Sequence, residues 1–226
     1  MNNAAKRYGL FALGVIVSAL GIGLITKAGL GTSPITSLSY VLSYIFPYSL
    51  GVFVMAVNCS MFLIQMLLQG KNFQKIQFLQ IPATLLFSAF IDIWVFAFSG
   101  WELFSYLEQI AVLLLGCGFL GLGIALEVIP NVLILPAEGV VRTIAGLKGW
   151  HFGCVKVAFD LGMVVSAIIV SLLVKGEIWG VREGTIIAAF IVGHISGFFI
   201  RQISQLLYRF VPAYTGRGGI LADEKS

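Results

Sequence analysis

Six long runs of apolar residues constrain this chain more than any other feature of its sequence. Each run comes close to the roughly 20 residues that a helix needs to cross a hydrocarbon core of about 30 Å. Only 11% of the residues are charged and 59% are hydrophobic, which excludes a water-soluble domain. Because backbone polar groups in hydrocarbon must bond within their own helix, the predicted fold is all-α, a polytopic membrane helical bundle. The predicted transmembrane helices cover about 8–26, 51–69, 77–99, 109–129, 153–174 and 184–207.

The distribution of Lys and Arg predicts the orientation of this bundle. A cytoplasmic N-terminus places ten of these cations inside and only Lys27, Lys175 and Arg182 outside, as the positive-inside rule requires. Both termini are therefore expected in the cytoplasm, with a single transmembrane domain at 1–208 and a cytoplasmic tail at 209–226. Since the cations lie at span ends and not in one patch, the net charge of +4 does not indicate nucleic-acid binding. The ten inside cations are Lys6, Arg7, Lys71, Lys75, Arg142, Lys148, Arg201, Arg209, Arg217 and Lys225.

Two short segments between the spans, 34–46 and 136–148, are too short to cross the membrane. Thirteen helical residues extend only about 20 Å. Each segment opens with a proline, Pro34 or Pro136, which suits the first position of a helix, and Ser33 is placed to cap the first of them. The pattern predicts two re-entrant half-helices.

The second half of the chain repeats the first at an offset of 102 residues. Leu20-Gly21-Ile22 corresponds to Leu122-Gly123-Ile124, and Pro34 corresponds to Pro136. Polar residues also correspond, Asn58 with Asp160 and Asp92 with His194. Each repeat, about 8–99 or 109–207, holds three spans, an odd number, so the halves are expected to be inverted, as in many secondary transporters. Close approach of the first and fourth spans is expected at Gly14, Gly21, Gly23, Gly116, Gly118, Gly121 and Gly123.

Four short motifs resemble a known group of bacterial membrane proteins, the YczE/YyaS/YitT family. They are "GLGTSP" (29–34), "PAEG" (136–139), "KVAFD" (156–160) and "VREGT" (181–185), spread over most of the chain. The YitT branch carries a soluble domain after the spans, whereas this chain has fewer than twenty residues after Tyr208, so it is more similar to the YczE branch. The resemblance implies a multi-pass protein of the bacterial plasma (inner) membrane and supplies no substrate.

Polar residues near the predicted half-helices are the candidate site, because ionisable groups inside a membrane are costly unless they are paired or face a polar cavity. Each has an alternative reading: Lys156 and Asp160 as a local pair, Glu138 as a complement to its helix dipole, and Asp92 and His194 as interhelical hydrogen bonds. Glu127 is expected to be interfacial. The predicted substrate-binding residues are Thr32, Ser33, Thr36, Asn58, Glu138 and Asp160, and the predicted ion- or proton-coupling residues are Asp92, Glu138, Lys156, Asp160 and His194.

Three classes of function fit these features to different degrees. The inverted repeat and the sparse intramembrane charges favour a secondary transporter of a small polar or anionic metabolite. A non-transporting accessory or scaffold protein is the alternative, since duplication also arises without transport. An enzyme is not expected, because no nucleophile or metal motif brings Ser, His and Asp together. The expected partners are the lipid bilayer and a small-molecule substrate, and a homo-oligomer is left open. No metal or cofactor is expected. The segment "GCGFLG" (116–121) matches a dinucleotide-binding pattern, but it lies inside a span and lacks the preceding strand that such a motif needs.

Overall fold

The computed structural model describes residues 3–210, and all regular structure within that range is helical. Six helices contain stretches long and apolar enough to cross a membrane, which confirms the six predicted spans to within a few residues at each end. The chain is a multi-pass membrane protein. The predicted tail lies outside the described residues from 211 onward. The helices are α1 (Asn3–Lys27), α2 (Ser37–Ile45), α3 (Leu50–Gln69), α4 (Gln80–Ala97), α5 (Tyr106–Val128), α6 (Pro136–Lys148), α7 (Phe152–Lys175) and α8 (Glu183–Phe210).

The two short helices lie where the prolines predict them. α6 begins at Pro136 and ends at Lys148, followed by Gly149 in the left-handed conformation, with φ 65°. The first segment begins as a 3-10 turn, Pro34–Thr36, and continues as α2. Ser33 occupies the capping position, but its side chain makes no capping hydrogen bond, so the expected role of Ser33 as a cap is wrong.

Helices α1 and α5 run antiparallel in close contact, because glycines remove the side chains between them. A Cβ atom at Gly21 would collide with the backbone of Leu120, and one at Gly123 would collide with the backbone of Ser18. As residue numbers rise along α1 they fall along α5, since Gly14 faces Glu127 and Gly116 faces Ile25. The expected close approach is therefore confirmed for four glycines. It is wrong for the other three: Gly23 faces Trp94 of α4, Gly121 faces Ile195 of α8, and Gly118 faces open space.

The helices form two bundles. In the first bundle α4 packs on α1 and α8 packs on α5, around a core that includes Ile22, Ile25 and Leu113. In the second bundle α3 packs on α2 and α6, and α7 packs on the same two short helices. The principal helix-to-helix packing between the bundles is that of α3 against α4. Within the part of the chain that the structure describes, helix α7 makes almost no contact with α8.

Candidate functional site

The turn that begins the first short helix contains a chain of buried hydroxyl groups. Gly29 and Gly31, with φ 70° and 117°, bend the chain after α1 into this turn. Thr32, Ser33 and Thr36 are all buried, and Thr36 Oγ1 lies 2.7 Å from Ser33 Oγ and 3.0 Å from Thr32 Oγ1. The backbone N–H of Thr32 donates to Thr185 Oγ1 of α8 at 3.2 Å. The three predicted residues thus lie together as a neutral polar patch.

Asn58 joins α3 to the N-terminus of α6. Its Nδ2 donates to Val54 O at 2.9 Å, and its Oδ1 accepts from the backbone N–H of Ala137 at 3.4 Å. A buried amide therefore satisfies one of the free N–H groups that every helix N-terminus presents. Glu138, half-buried, occupies the first turn of the same helix, where the helix dipole favours a carboxylate.

Lys156 and Asp160 form an ion pair on α7. Lys156 Nζ donates to Asp160 Oδ1 at 2.6 Å, with the two residues one helical turn apart and their side chains about a quarter exposed. The local pairing that the spacing indicates is therefore present. Both charges act on the carboxyl group of Glu138, and α7 packs against α6. Helix α7 also packs against the turn that holds Thr36, which places Asp160 on the helix between the two groups of predicted residues.

Glu127 is part of the buried polar interior, one residue before the end of α5, and its expected position at the membrane interface stays a prediction. Only 5% of the residue is exposed, and Ser18 Oγ of α1 donates to its Oε1 at 2.5 Å. The charge of Glu138 also acts on Glu127, across the boundary between the two bundles. The sequence signal was its spacing: Glu127 follows Gly116 and Gly123 at helical intervals, on the face of α5 that meets α1.

Asp92 and His194 make different kinds of contact although they correspond in the repeat. Asp92 accepts from Ser49 Oγ at 2.6 Å and from the backbone N–H of Gly51 at 2.7 Å, so it joins α4 to the N-terminus of α3. His194 Nδ1 lies 2.7 Å from Phe190 O of its own helix. The expected interhelical bonds therefore exist for Asp92, whereas the imidazole of His194 contacts a carbonyl group of its own helix.

Buried polar groups that the sequence analysis did not identify lie on α3 and α4. The side-chain oxygens of Gln65, Gln80 and Thr84 are buried and have no hydrogen-bond partner within residues 3–210. Gln65 lies directly against Gly139 of α6, and Gln69 Nε2 donates to Thr143 Oγ1 at 2.8 Å. An unsatisfied buried polar group costs about 1–3 kcal/mol, so these helices contain groups that water would stabilise.

The chain belongs to a family of unknown function, DUF6198, whose model matches residues 5–201. No curated protein and no solved structure matches it.

Proposed function

We propose that the protein is a secondary transporter that moves a small polar or anionic metabolite across the bacterial plasma membrane by alternating access. The proposal rests on two inverted repeats. Helices α1 and α5 correspond at the offset of 102 residues and run antiparallel. The packing pairs also correspond: α4 on α1 matches α8 on α5, and α3 on α6 matches α7 on α2. In inverted-repeat transporters the two halves exchange conformations around a central site.

The observation that carries the proposal is a difference between two equivalent contacts. Gly51 of α3 is pressed against Ser88 O and the Asp92 carboxylate of α4, whereas the equivalent Gly153 of α7 has nothing within 4 Å of a Cβ position. Asp92 bonds to the N-terminus of α3, whereas the equivalent His194 bonds to its own helix. We interpret the contact between α3 and α4 as closed and that between α7 and α8 as open, which is the asymmetry that alternating access requires.

In the predicted orientation, these two contacts lie on opposite sides of the membrane. With a cytoplasmic N-terminus, the residues of α3 and α4 that Asp92 joins face outward, and the opening between α7 and α8 faces the cytoplasm. We assign the structure to a cytoplasm-open state. In the opposite state α7 and α8 close, bringing His194 to the N-terminus of α7, and α3 separates from α4.

The substrate would bind between the bundles, near the two re-entrant half-helices. The hydroxyls of Thr32, Ser33 and Thr36 offer neutral hydrogen-bonding groups, while Glu138 and Asp160 supply charge near the N-terminus of α6. We add Glu127 to this site, because it is the buried carboxylate of the first bundle that feels the charge of Glu138. Protonation or ion binding at these carboxylates would couple the movement of substrate to an ion gradient.

Disulfide cross-linking in native membranes tests whether the protein exchanges between the two states, and it does not require the substrate to be known. In a variant with Cys59, Cys117 and Cys154 replaced by Ala, a Gly153→Cys/His194→Cys pair should cross-link on oxidation because α7 and α8 close in the opposite state. A Gly121→Cys/Ile195→Cys pair, whose residues are already in contact, is the positive control. Cross-linking of the control alone would contradict alternating access.

Transport itself needs a screen of metabolites by thermal stabilisation, followed by uptake into proteoliposomes. Ligand binding to the folded state raises its stability, so a substrate should shift the melting temperature. Glu138→Gln and Asp160→Asn should purify normally and lose uptake. If an identified solute binds and both variants transport it at the wild-type rate, the charged centre is wrong; if no solute is taken up, the accessory or scaffold function gains support.

A further inference from the structure

A cavity of about 290 Å³ lies where the connection between α7 and α8 folds over α2. Its volume equals that of roughly ten water molecules in the liquid, enough for a small organic molecule. The side chains that line it are Tyr40, Tyr44, Ile178, Trp179 and Arg182. The connection lies between two spans, so the cavity is at the end of the bundle and separate from the carboxylates beside α6.

Three glycines and three aromatic rings give this cavity its shape. Gly29, Gly31 and Gly180 line it with φ between 70° and 117°, so bare backbone forms part of the wall. The centroids of the Tyr40 and Tyr44 rings are 4.9 Å apart, and those of Tyr44 and Trp179 are 5.9 Å apart, both edge to face. The rings make a continuous aromatic wall that suits a planar apolar group.

The polar atoms of the cavity can donate hydrogen bonds to an anion. The hydroxyls of Tyr40 and Tyr44 are 2.8 Å apart, so one donates to the other and a single hydroxyl hydrogen is left for a ligand. Arg182 uses one N–H on Gly29 O, at 3.1 Å, and two on the Glu183 carboxylate. A guanidinium has five N–H groups, so two remain.

The charged group that lines the cavity is a guanidinium already paired with a carboxylate. Arg182 is the charged side chain among the lining residues. Glu183 is paired with Arg182, and Glu177 accepts from Trp179 Nε1 at 3.4 Å outside the lining. Lys175 Nζ lies 5.9 Å from the centroid of the Trp179 ring and adds a second cation nearby. The geometry points to a binding site for a small carboxylate with a planar apolar body, held by Arg182 and the tyrosine hydroxyls against the aromatic wall.

Binding of three probes of similar size but different charge tests this site: benzoate, benzyl alcohol and benzylamine. Tryptophan fluorescence of the purified full chain, with Trp179→Phe to identify the signal of that ring, should show saturable binding strongest for benzoate. A charge-assisted hydrogen bond to Arg182 should make benzoate bind about tenfold to a hundredfold more tightly than benzyl alcohol. Arg182→Gln should remove that preference while benzyl alcohol still binds, a result that mere unfolding would not give.

Ile178→Trp provides a second variant that leaves Arg182 in place and fills the cavity. It should abolish the binding of all three probes. If Arg182→Gln cannot be purified, this variant still tests whether the probes bind in the cavity. The inference is wrong if no probe saturates, if benzylamine binds as tightly as benzoate, or if Ile178→Trp leaves benzoate binding unchanged. The inference concerns binding alone, so a benzoate site on a protein that fails to transport would leave it standing while the proposed function fails.

Discussion

Replacing Gly21 by Ala tests the close packing of α1 on α5, on which the antiparallel arrangement of the two repeats depends. The added Cβ would meet the backbone N and Cα of Leu120 and the carbonyl oxygen of Gly116. Backbone atoms inside a helix cannot move aside as a flexible side chain can, so the two helices must separate. Overpacking of this kind costs about 1–3 kcal/mol.

Gly118→Ala is the matched control for this substitution. Gly118 also lies in the interior of a helix, α5, but a Cβ there would meet nothing within 4 Å. Both variants gain the same helix propensity, about 0.5–1 kcal/mol, so that gain cancels in the comparison. The difference in stability between them is therefore the overpacking cost, and Gly21→Ala should melt lower than Gly118→Ala.

Thermal unfolding of the two purified variants, followed by tryptophan fluorescence in one detergent, measures the difference. For a domain of 150–250 residues, 1–3 kcal/mol corresponds to a difference in melting temperature of about 2–12 °C. Gly123→Ala should behave like Gly21→Ala, because its Cβ would meet the backbone of Ser18. Equal melting of Gly21→Ala and Gly118→Ala would show that α1 and α5 are not in the contact described.

Three further predictions concern single contacts. Ser18→Ala should destabilise the protein by about 1–3 kcal/mol in thermal melts, because Glu127 loses its hydroxyl donor; unchanged melting would contradict the buried position of Glu127. Asp92→Asn should cost roughly 1 kcal/mol by weakening the bonds to Ser49 and Gly51, whereas His194→Asn should change the melt little; the reverse order would contradict the assignment of the closed contact. A cysteine at Glu102 should react with an impermeant external reagent in intact cells and one at Lys71 should be protected, as the charge bias requires.

The sequence predicts the six spans and both short helices because each is decided locally. An apolar run of sufficient length must be helical in a membrane, and a proline suits the first position of a helix. Which helices pack against each other is not decided by the local sequence. Gly23 and Gly121 lie in the same glycine-rich helices as Gly21 and its partners, but they face α4 and α8. The sequence does not show which neighbouring helix packs against each face of a helix. The burial of Glu127 could not be predicted for the same reason, since it depends on the packing of α1 against the end of α5.

The difference between the two repeats is the feature that the sequence could least predict. Gly51 and Gly153 are identical residues at equivalent positions, so a repeat alone predicts that α7 packs on α8 as α3 packs on α4. The sequence differs at the residue that fixes this contact, because Asp92 presents two acceptor oxygens to the α3 N-terminus, whereas an imidazole such as that of His194 presents at most one acceptor nitrogen. A carboxylate also interacts more favourably than an imidazole with the positive end of a helix. We therefore expect the contact at Asp92 to be the more stable of the two, in agreement with the packing of α3 on α4 and the near absence of contact between α7 and α8 in the described residues.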